Sequence, residues 1–600
     1  MTHLRYLLDA RRGRDHRFAV ALEMDVHPHG GDLELFLPVW TPGSYLIREY
    51  QRHLGELRAC DPVTGQAATW CKSAKNRYRF RVAPSTRRLR IDYTVFAHEL
   101  TVRTADLTED HAFWNGACLF LWPVGERDAG ATIDLALPDG WSVWTWLPLE
   151  SEQSRVRYSV AGLDQLVDCP VLCSADARVV DFDVAGRPHR FVFDDLAGLE
   201  LPTGLAADTA EIVTQAMRVF GVESLPYERY DFLTLLSDRG HGGLEHADGS
   251  VLLAPRTNLT SPRGYRDFMG LVAHEFFHVF NVKRLRPEEL WQVDYEAENH
   301  TQLLWVAEGF TAYYDDLLCC RAGVVSARKY LQTVADNIAD AHRTPGRLVH
   351  PLADASYDAW IKLYRPDEDS RNSSQSYYVN GGLAALCLDL EIRVRTRGVR
   401  GLDDAMQLLW KRTYLRGRGY TYDDVVAALT DAAGSDLATL VDSLVRQPFD
   451  PDFAAALRPL GLDLVRMPLT ADRPPYLGIQ LQAGTTIVAS VSRSGPAARG
   501  GVAAGDEILA VGGLRATNAA LDEILRAIPR GHQPCSVLVA RRGRILERHV
   551  TLESGEANTG YRIDVASGSS AEQDALRRGW LGKKCADDLQ SSSSHAALEE

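Results

Sequence analysis

The sequence predicts a multidomain protein: an antiparallel β domain first, an α+β domain with a helical extension next, and a small β-rich domain near the C-terminus. Three observations predict it. The 600 residues exceed what one core organises, since single domains run to roughly 100–200 residues. The texture changes near residue 204 from short alternating segments to helical periodicity, and changes back near residue 472. An apolar fraction of 45% with 24% charged residues is that of globular protein, which excludes fibrous and largely disordered classes.

Between residues 15 and 195, segments such as RFAVALEMDV, RLRIDYTVFAH and RVVDFDVAG alternate apolar and polar side chains between Gly, Pro and Asp turns, the mark of antiparallel strands with one buried face. Within them WTPGSYLIREY (40–50) carries a Pro42-Gly43 turn, and its aromatic residues are assigned to core with no catalytic role. Helical period begins at ADTAEIVTQAMRVFGV and dominates to about residue 450. The strand-like YDFLTLLSD interrupts it, followed by RGHGGLEHADGSVLLAP, which reads as a strand, a Gly-rich turn and another strand. RPDEDSRNSSQS (365–376) reads as a surface loop. Short strands and Gly turns resume from 472, and the closing SSSSHAALEE is expected to be disordered. The expected domains are therefore 1–180, 181–465 and 466–555, with a tail from 556 to 600.

A formal charge of -14 argues against a nucleic-acid binder, whose phosphate contacts favour a basic surface. No run approaches the roughly 18 apolar residues of a membrane span, and the N-terminal segment does not read as a signal peptide, so a cytoplasmic protein without a membrane partner is expected. The ten cysteines show no CxxC spacing and are expected to be mostly reduced and buried.

The chemistry concentrates in HEFFHVFNVKRLRP, residues 274–287. Ser261-Pro262 supplies a helix cap and a first-turn proline, and Phe268, Leu271, Val272 and Val279 follow at helical spacing. His274 and His278 then lie one turn apart on one face, their Cβ atoms about 6 Å apart, where two imidazoles can reach one zinc ion. Glu275 beside them can reach a metal-activated water. The bland alternative is a satisfied core histidine pair. A catalytic zinc needs a third protein ligand and an open fourth position. Downstream, HTQLLWVAEGFTAYYDDLL reads as a second amphipathic helix, and Glu308 falls inside its apolar run LLWVAEGF. A carboxylate there is expensive unless paired or metal-bound. That makes Glu308 the ligand candidate, with a buried Glu–Arg pair as the alternative.

These residues resemble a known family. HEFFHVFNVKRLRP with WVAEGFTAYYDDL is similar to the M61 glycyl aminopeptidases, relatives of the M1 aminopeptidases with thermolysin-like catalytic domains. WTPGSYLIREY, GGLEH (242–246), DAWIKLYRPDEDS (358–370) and SYYVNGGLAALCLDLEIR (376–393) resemble the family in the same order. The resemblance implies a thermolysin-like α+β catalytic domain packed on an N-terminal β domain. It also implies one zinc per chain on His274, His278 and Glu308, with Glu275 as general base. Glu245 of GGLEH is similar to the amine-binding Glu of the M1 relatives' GxMEN signature, with Leu244 and His246 in place of Met and Asn; Gly242 and Gly243 would allow close backbone approach. Tyr378 resembles the YxKG tyrosine that stabilises the oxyanion, with Asn380 in place of the Lys and Tyr377 as the fallback. Asp315 and Asp316 are left outside the site.

Residues 472–555 resemble a PDZ domain, with YLGIQL (476–481) as the carboxylate-binding loop and Leu477, Gly478 and Ile479 as its peptide-binding amides. A PDZ fold that binds nothing is the alternative. The expected activity is release of N-terminal Gly or Ala from peptides with a free N-terminus. A zinc endopeptidase, or a non-catalytic PDZ adaptor on a peptidase scaffold, stands against it.

Overall fold

The computed structural model describes residues 3–26, 31–151, 156–467, 474–528, 534–553 and 560–591. The chain divides into two compact units, Met1–Asn299 with Gly417–Gly419, and His300–Arg416 with Tyr420–Glu600. The division falls between the paired histidines and Glu308.

The first unit opens with the β layers that the alternation predicts. A seven-stranded sheet has Leu4–Asp9, Arg17–Asp25 and Arg88–Phe96 at its centre, each burying mainly alternate residues. Its pairings are antiparallel except that Leu4–Asp9 runs parallel to Ala131–Ala136. Two four-stranded sheets, one holding Gly31–Phe36 and the other His111–Trp114, join it around a common core that includes Phe18, Tyr78, Trp114 and Trp122.

Next comes a mixed sheet of β1 (Arg178–Val184), β2 (Arg187–Asp194), β3 (Tyr230–Ser237), β4 (Gly242–Glu245) and β5 (Gly249–Pro255), in the order β1-β2-β3-β5-β4. Strands β2, β3 and β5 are mutually parallel, and β4 is an antiparallel edge strand. β3 is buried almost throughout, which is why YDFLTLLS reads as a continuous run instead of an alternation. Its one acid, Asp231, is buried and held by Arg190 at 2.7 Å. Here the sequence reading is corrected: GGLE is the edge strand itself, because the open side of β5 offers its backbone a ladder, and the turn is moved to residues 246–248. Helices α1 (Leu205–Phe220) and α2 (Pro262–Phe277) pack on each other, and α2 also lies on β4 and β5.

In the second unit the segment around Glu308 is not one α-helix. Trp305–Gly309 forms a π-helical turn, and α3 (Phe310–Ala322) continues from it. Helix α4 (Val379–Arg395) packs against both. A small β domain follows with its own core of Leu477, Val488, Ile508, Val537 and Val539, containing β6 (Ile479–Leu481), β7 (Val488–Val491) and α5 (Leu521–Ala527). Asn372 docks onto it, accepting from the Arg493 amide at 2.7 Å and donating to the Val491 carbonyl at 2.9 Å.

Two findings depart from the sequence reading. Tyr561–Val565 pairs antiparallel with Leu462–Arg466, and helices Ala571–Leu581 and Lys583–Ser591 follow, so much of the segment read as a tail is ordered. The closing stretch expected to be disordered lies outside the described residues. Cys320 and Cys585 form a disulfide across 265 residues, a pairing the sequence did not signal, while the other eight cysteines are free and six of them buried, in line with the expectation of mostly reduced, buried cysteines. Among the described residues no helix is long and apolar enough to cross a membrane.

Candidate metal and substrate site

In the first unit Ser261 caps α2 by accepting from the Gly264 amide at 3.1 Å, and Pro262 follows at the first turn. The helix delivers His274 and Glu275 in its last turn and ends on His278, whose amide still reaches the His274 carbonyl at 3.3 Å. His278 Nδ1 lies 2.7 Å from the Asn281 carbonyl. A carbonyl only accepts, so Nδ1 is the donor and Nε2 presents its lone pair. That Nε2 is 3.2 Å from His274 Nε2. Two imidazole nitrogens on a tetrahedral zinc, each at about 2.0–2.1 Å, stand about 3.3 Å apart, so the pair fits the ion without rearrangement. Val282, with φ of 117°, takes a conformation that β-branched residues avoid, directly after the Asn281 carbonyl that orients the ring.

Glu275 is 4% exposed and its side chain lies against Gly243 of β4. A Cβ on Gly243 would stand 2.2 Å from Glu275 Cδ, so glycine is required there for the close approach of that carboxylate. Two residues on, Glu245 is also 4% exposed. Gly43, with φ of +85°, backs it: a Cβ there would stand 2.4 Å from one Glu245 oxygen and 2.7 Å from the other. Each acid is thus seated against a glycine backbone from another segment. Tyr230, at the start of β3, is raised above the usual phenol range first by its burial and then by the charges of Glu275 and Glu245, less what Ser250 and Arg284 take back.

Glu245 also lines a cavity of about 410 Å³ within this unit, together with Trp40, Trp146, Lys283 and Arg286. Lys283 meets Asp168 at 2.5 Å. Burial works against the Asp168 charge, but Lys283 and then His246 outweigh it and hold that carboxyl below its usual range. Burial pushes the Asp248 carboxyl up and the Arg286 guanidinium down.

In the second unit Glu308 sits on the π-helical turn and is 2% exposed. Such turns have an extra residue per turn and recur at functional sites. The buried Ser356 hydroxyl accepts from the Trp305 amide at 3.0 Å and anchors its start. Gly309 and Gly381 let this turn and α4 touch backbone to backbone; a Cβ on Gly309 would stand 2.6 Å from Gly381 Cα. Tyr378 caps α4 three residues before that contact, its hydroxyl 2.9 Å from that of Tyr364. Tyr377 stacks on Tyr378 at 4.8 Å, and its phenol pKa is raised by burial first, with Tyr364 and Glu308 adding to it. Farther along, the Leu477 and Gly478 carbonyls turn inward to the amides of Ala497 and Ser492 at 2.9 Å each, and Ile479 pairs with Val491.

Sequence reasoning missed Gly43, Tyr230, Tyr364 and Arg286. Only Gly43 has a signal, the Pro-Gly turn in WTPGSYL, which the sequence reading takes as a turn without a role in the site.

Comparison with known proteins gives three matches along the chain. Residues 267–384 match the M61 glycyl aminopeptidase family, residues 5–175 match the peptidase M61 N-terminal domain, and residues 466–540 match the PDZ domain. A crystal structure of an aminopeptidase N family protein from Idiomarina loihiensis is 27% identical with a TM-score of 0.88, covering 96% of this chain and 100% of that one. An M1 zinc metallopeptidase from Deinococcus radiodurans is 16% identical with a TM-score of 0.45, covering 75% of this chain and 94% of that one, an overlap too low to carry an argument. No curated protein matches.

Proposed function

From the premise that this chain carries the catalytic and N-terminal segments of the M61 glycyl aminopeptidase family ahead of a PDZ domain, and is a metalloaminopeptidase, we propose that it uses one zinc ion to release small N-terminal residues, glycine and alanine. The observation that carries the reading is the His274–His278 pair, whose Nε2 atoms stand 3.2 Å apart, at zinc spacing, beside the buried Glu275. Glu308 is the third ligand. A nitrogen–nitrogen–carboxylate set suits zinc.

A zinc ion in that set would supply a Lewis acid that acidifies water and polarises the scissile carbonyl. Glu275 takes the proton of the attacking water and passes it to the departing amine, a positioned transfer worth about 10²- to 10⁴-fold. Glu245 pairs with the substrate's α-ammonium, fixing the first peptide bond as the one cleaved, and Gly242 and Gly243 leave the strand edge open for the substrate backbone. Tyr378 donates to the developing oxyanion. Peptides with a free N-terminus are the substrates. The loop at Leu477, Gly478 and Ile479 receives a C-terminal carboxylate; a C-terminal peptide library returning no preference would remove that part.

A cytoplasmic location belongs to the same reading. The Cys320–Cys585 disulfide pulls against it, because reducing compartments keep such pairs as thiols, and cell fractionation decides. The function is tested with aminoacyl chromogenic substrates, free and N-acetylated, with and without a chelator. Chelator-sensitive hydrolysis of the free compounds only is expected. Equal hydrolysis of acetylated peptides would make the enzyme an endopeptidase, and bound zinc without turnover would make it an adaptor.

A further inference from the structure

The cavity beside Glu245 is far larger than a glycine or alanine side chain fills, and its charges are not all matched. Asp164 accepts from Arg127 at 2.6 Å, Asp168 pairs with Lys283 at 2.5 Å, and Asp248 faces Arg284 at 3.5 Å. Two charged groups on its wall stand outside this pairing among the described residues. One is Glu245, 4% exposed, with no side-chain hydrogen bond or ion pair. The other is Arg286, which donates to the Lys283 carbonyl and lies 5.7 Å over the Trp291 ring; the charges of Asp168 and Asp164 reach it, but no carboxylate among the described residues forms an ion pair with it, and its Nε is buried without an acceptor. A buried carboxylate and a largely buried guanidinium that lack a direct ion pair are costly, and a ligand carrying both an ammonium and an anion satisfies them together. The aromatic walls of Trp40, Trp146 and Tyr295 suit the methylenes between the two charges.

We propose that this cavity receives the side chain of the substrate's first residue and that Arg286 pairs with an acidic one, so that peptides beginning with glutamate or aspartate are substrates beside those beginning with glycine or alanine. The inference rests on the reading of Glu245 as the amine anchor. It adds a specificity-determining residue, Arg286, in the segment that directly follows the zinc histidines.

The test compares glutamyl with glutaminyl p-nitroanilide, a pair matched in shape and different in charge. Wild-type protein is expected to favour the glutamyl compound in kcat/KM by about tenfold, the scale of one charge-assisted contact. Arg286→Met should bring the ratio to about one, and Arg286→Lys should keep part of it. Calorimetry with glutamic acid α-amide against glutamine α-amide measures the same preference without turnover and on the wild-type protein alone, should the variants fail to fold. A wild-type ratio at or below one, or a ratio that survives Arg286→Met, overturns the inference. Hydrolysis of alanyl but not glutamyl substrate would leave the aminopeptidase reading standing and remove this one. Calorimetric preference without turnover of any substrate would leave only the contact between Arg286 and an acidic group, and would overturn both the aminopeptidase reading and the claim that acidic peptides are substrates.

Discussion

Replacing Gly243 with alanine asks whether the position of Glu275, and not merely its presence, sets the rate. The added methyl would stand 2.2 Å from Cδ and 2.3 Å from both Cγ and Oε1 of Glu275, where ordinary contact begins at 3.4 Å. The carboxyl must therefore withdraw by about 1.2 Å, the difference between those distances. Gly243 does not use the left-handed region, so alanine fits its strand backbone and folding should be kept. A 1 Å misplacement of a catalytic group costs about 10²-fold, or about 2.7 kcal/mol of barrier. The assay is kcat on an alanyl chromogenic substrate, with zinc content and Tm measured on the same preparation. The expected result is a loss of about 100-fold in kcat with metal and Tm retained. A kcat within about threefold of wild type would refute the claim that this glycine seats the general base.

Glu275→Gln should keep zinc and lose at least about 10²-fold in kcat, while Glu308→Ala should lose both zinc and activity; metal analysis beside kinetics separates the two. Tyr378→Phe should lower kcat by about 10²-fold with KM little changed if its hydroxyl serves the oxyanion, whereas an equal effect from Tyr377→Phe would shift the role to the fallback. His111 should make the first unit pH-sensitive. Burial alone would push its pKa down, but Asp106 and Asp194 outweigh that and raise it to about 10. The folded-state value lies above the usual 6.5, so its contribution is full below pH 6.5 and fades as pH rises toward 10, each unit of the displacement being worth about 1.4 kcal/mol. Denaturant midpoints at pH 6.5, 8 and 10 should fall along that series, and His111→Gln should flatten the fall.

The parts of the site that lie on regular elements were legible, because local spacing carries them. Ser261, Pro262 and the apolar period announce α2, and the helix alone brings His274 and His278 onto one face. The strand alternation of the first 195 residues announced the β layers in the same way. Glu308 was legible as an acid in an apolar run, but its π-helical turn was not, since no local spacing separates that turn from the α-helix that continues it. What glycines are for was hidden: Gly243 and Gly43 answer to Glu275 and Glu245, neighbours in space that composition cannot reveal. The Cys320–Cys585 bond and the strand pairing of Leu462–Arg466 with Tyr561–Val565 escaped for the same reason. Each joins segments about a hundred residues or more apart, and only tertiary packing makes them adjacent.

The zinc assignment meets its most direct test in anomalous diffraction at the zinc edge from zinc-loaded crystals. A single strong peak per chain, at about 2.0–2.2 Å from His274 Nε2, His278 Nε2 and a Glu308 carboxylate oxygen, is the predicted result. A peak elsewhere, or one on the histidines that persists unchanged in Glu308→Ala, would contradict it.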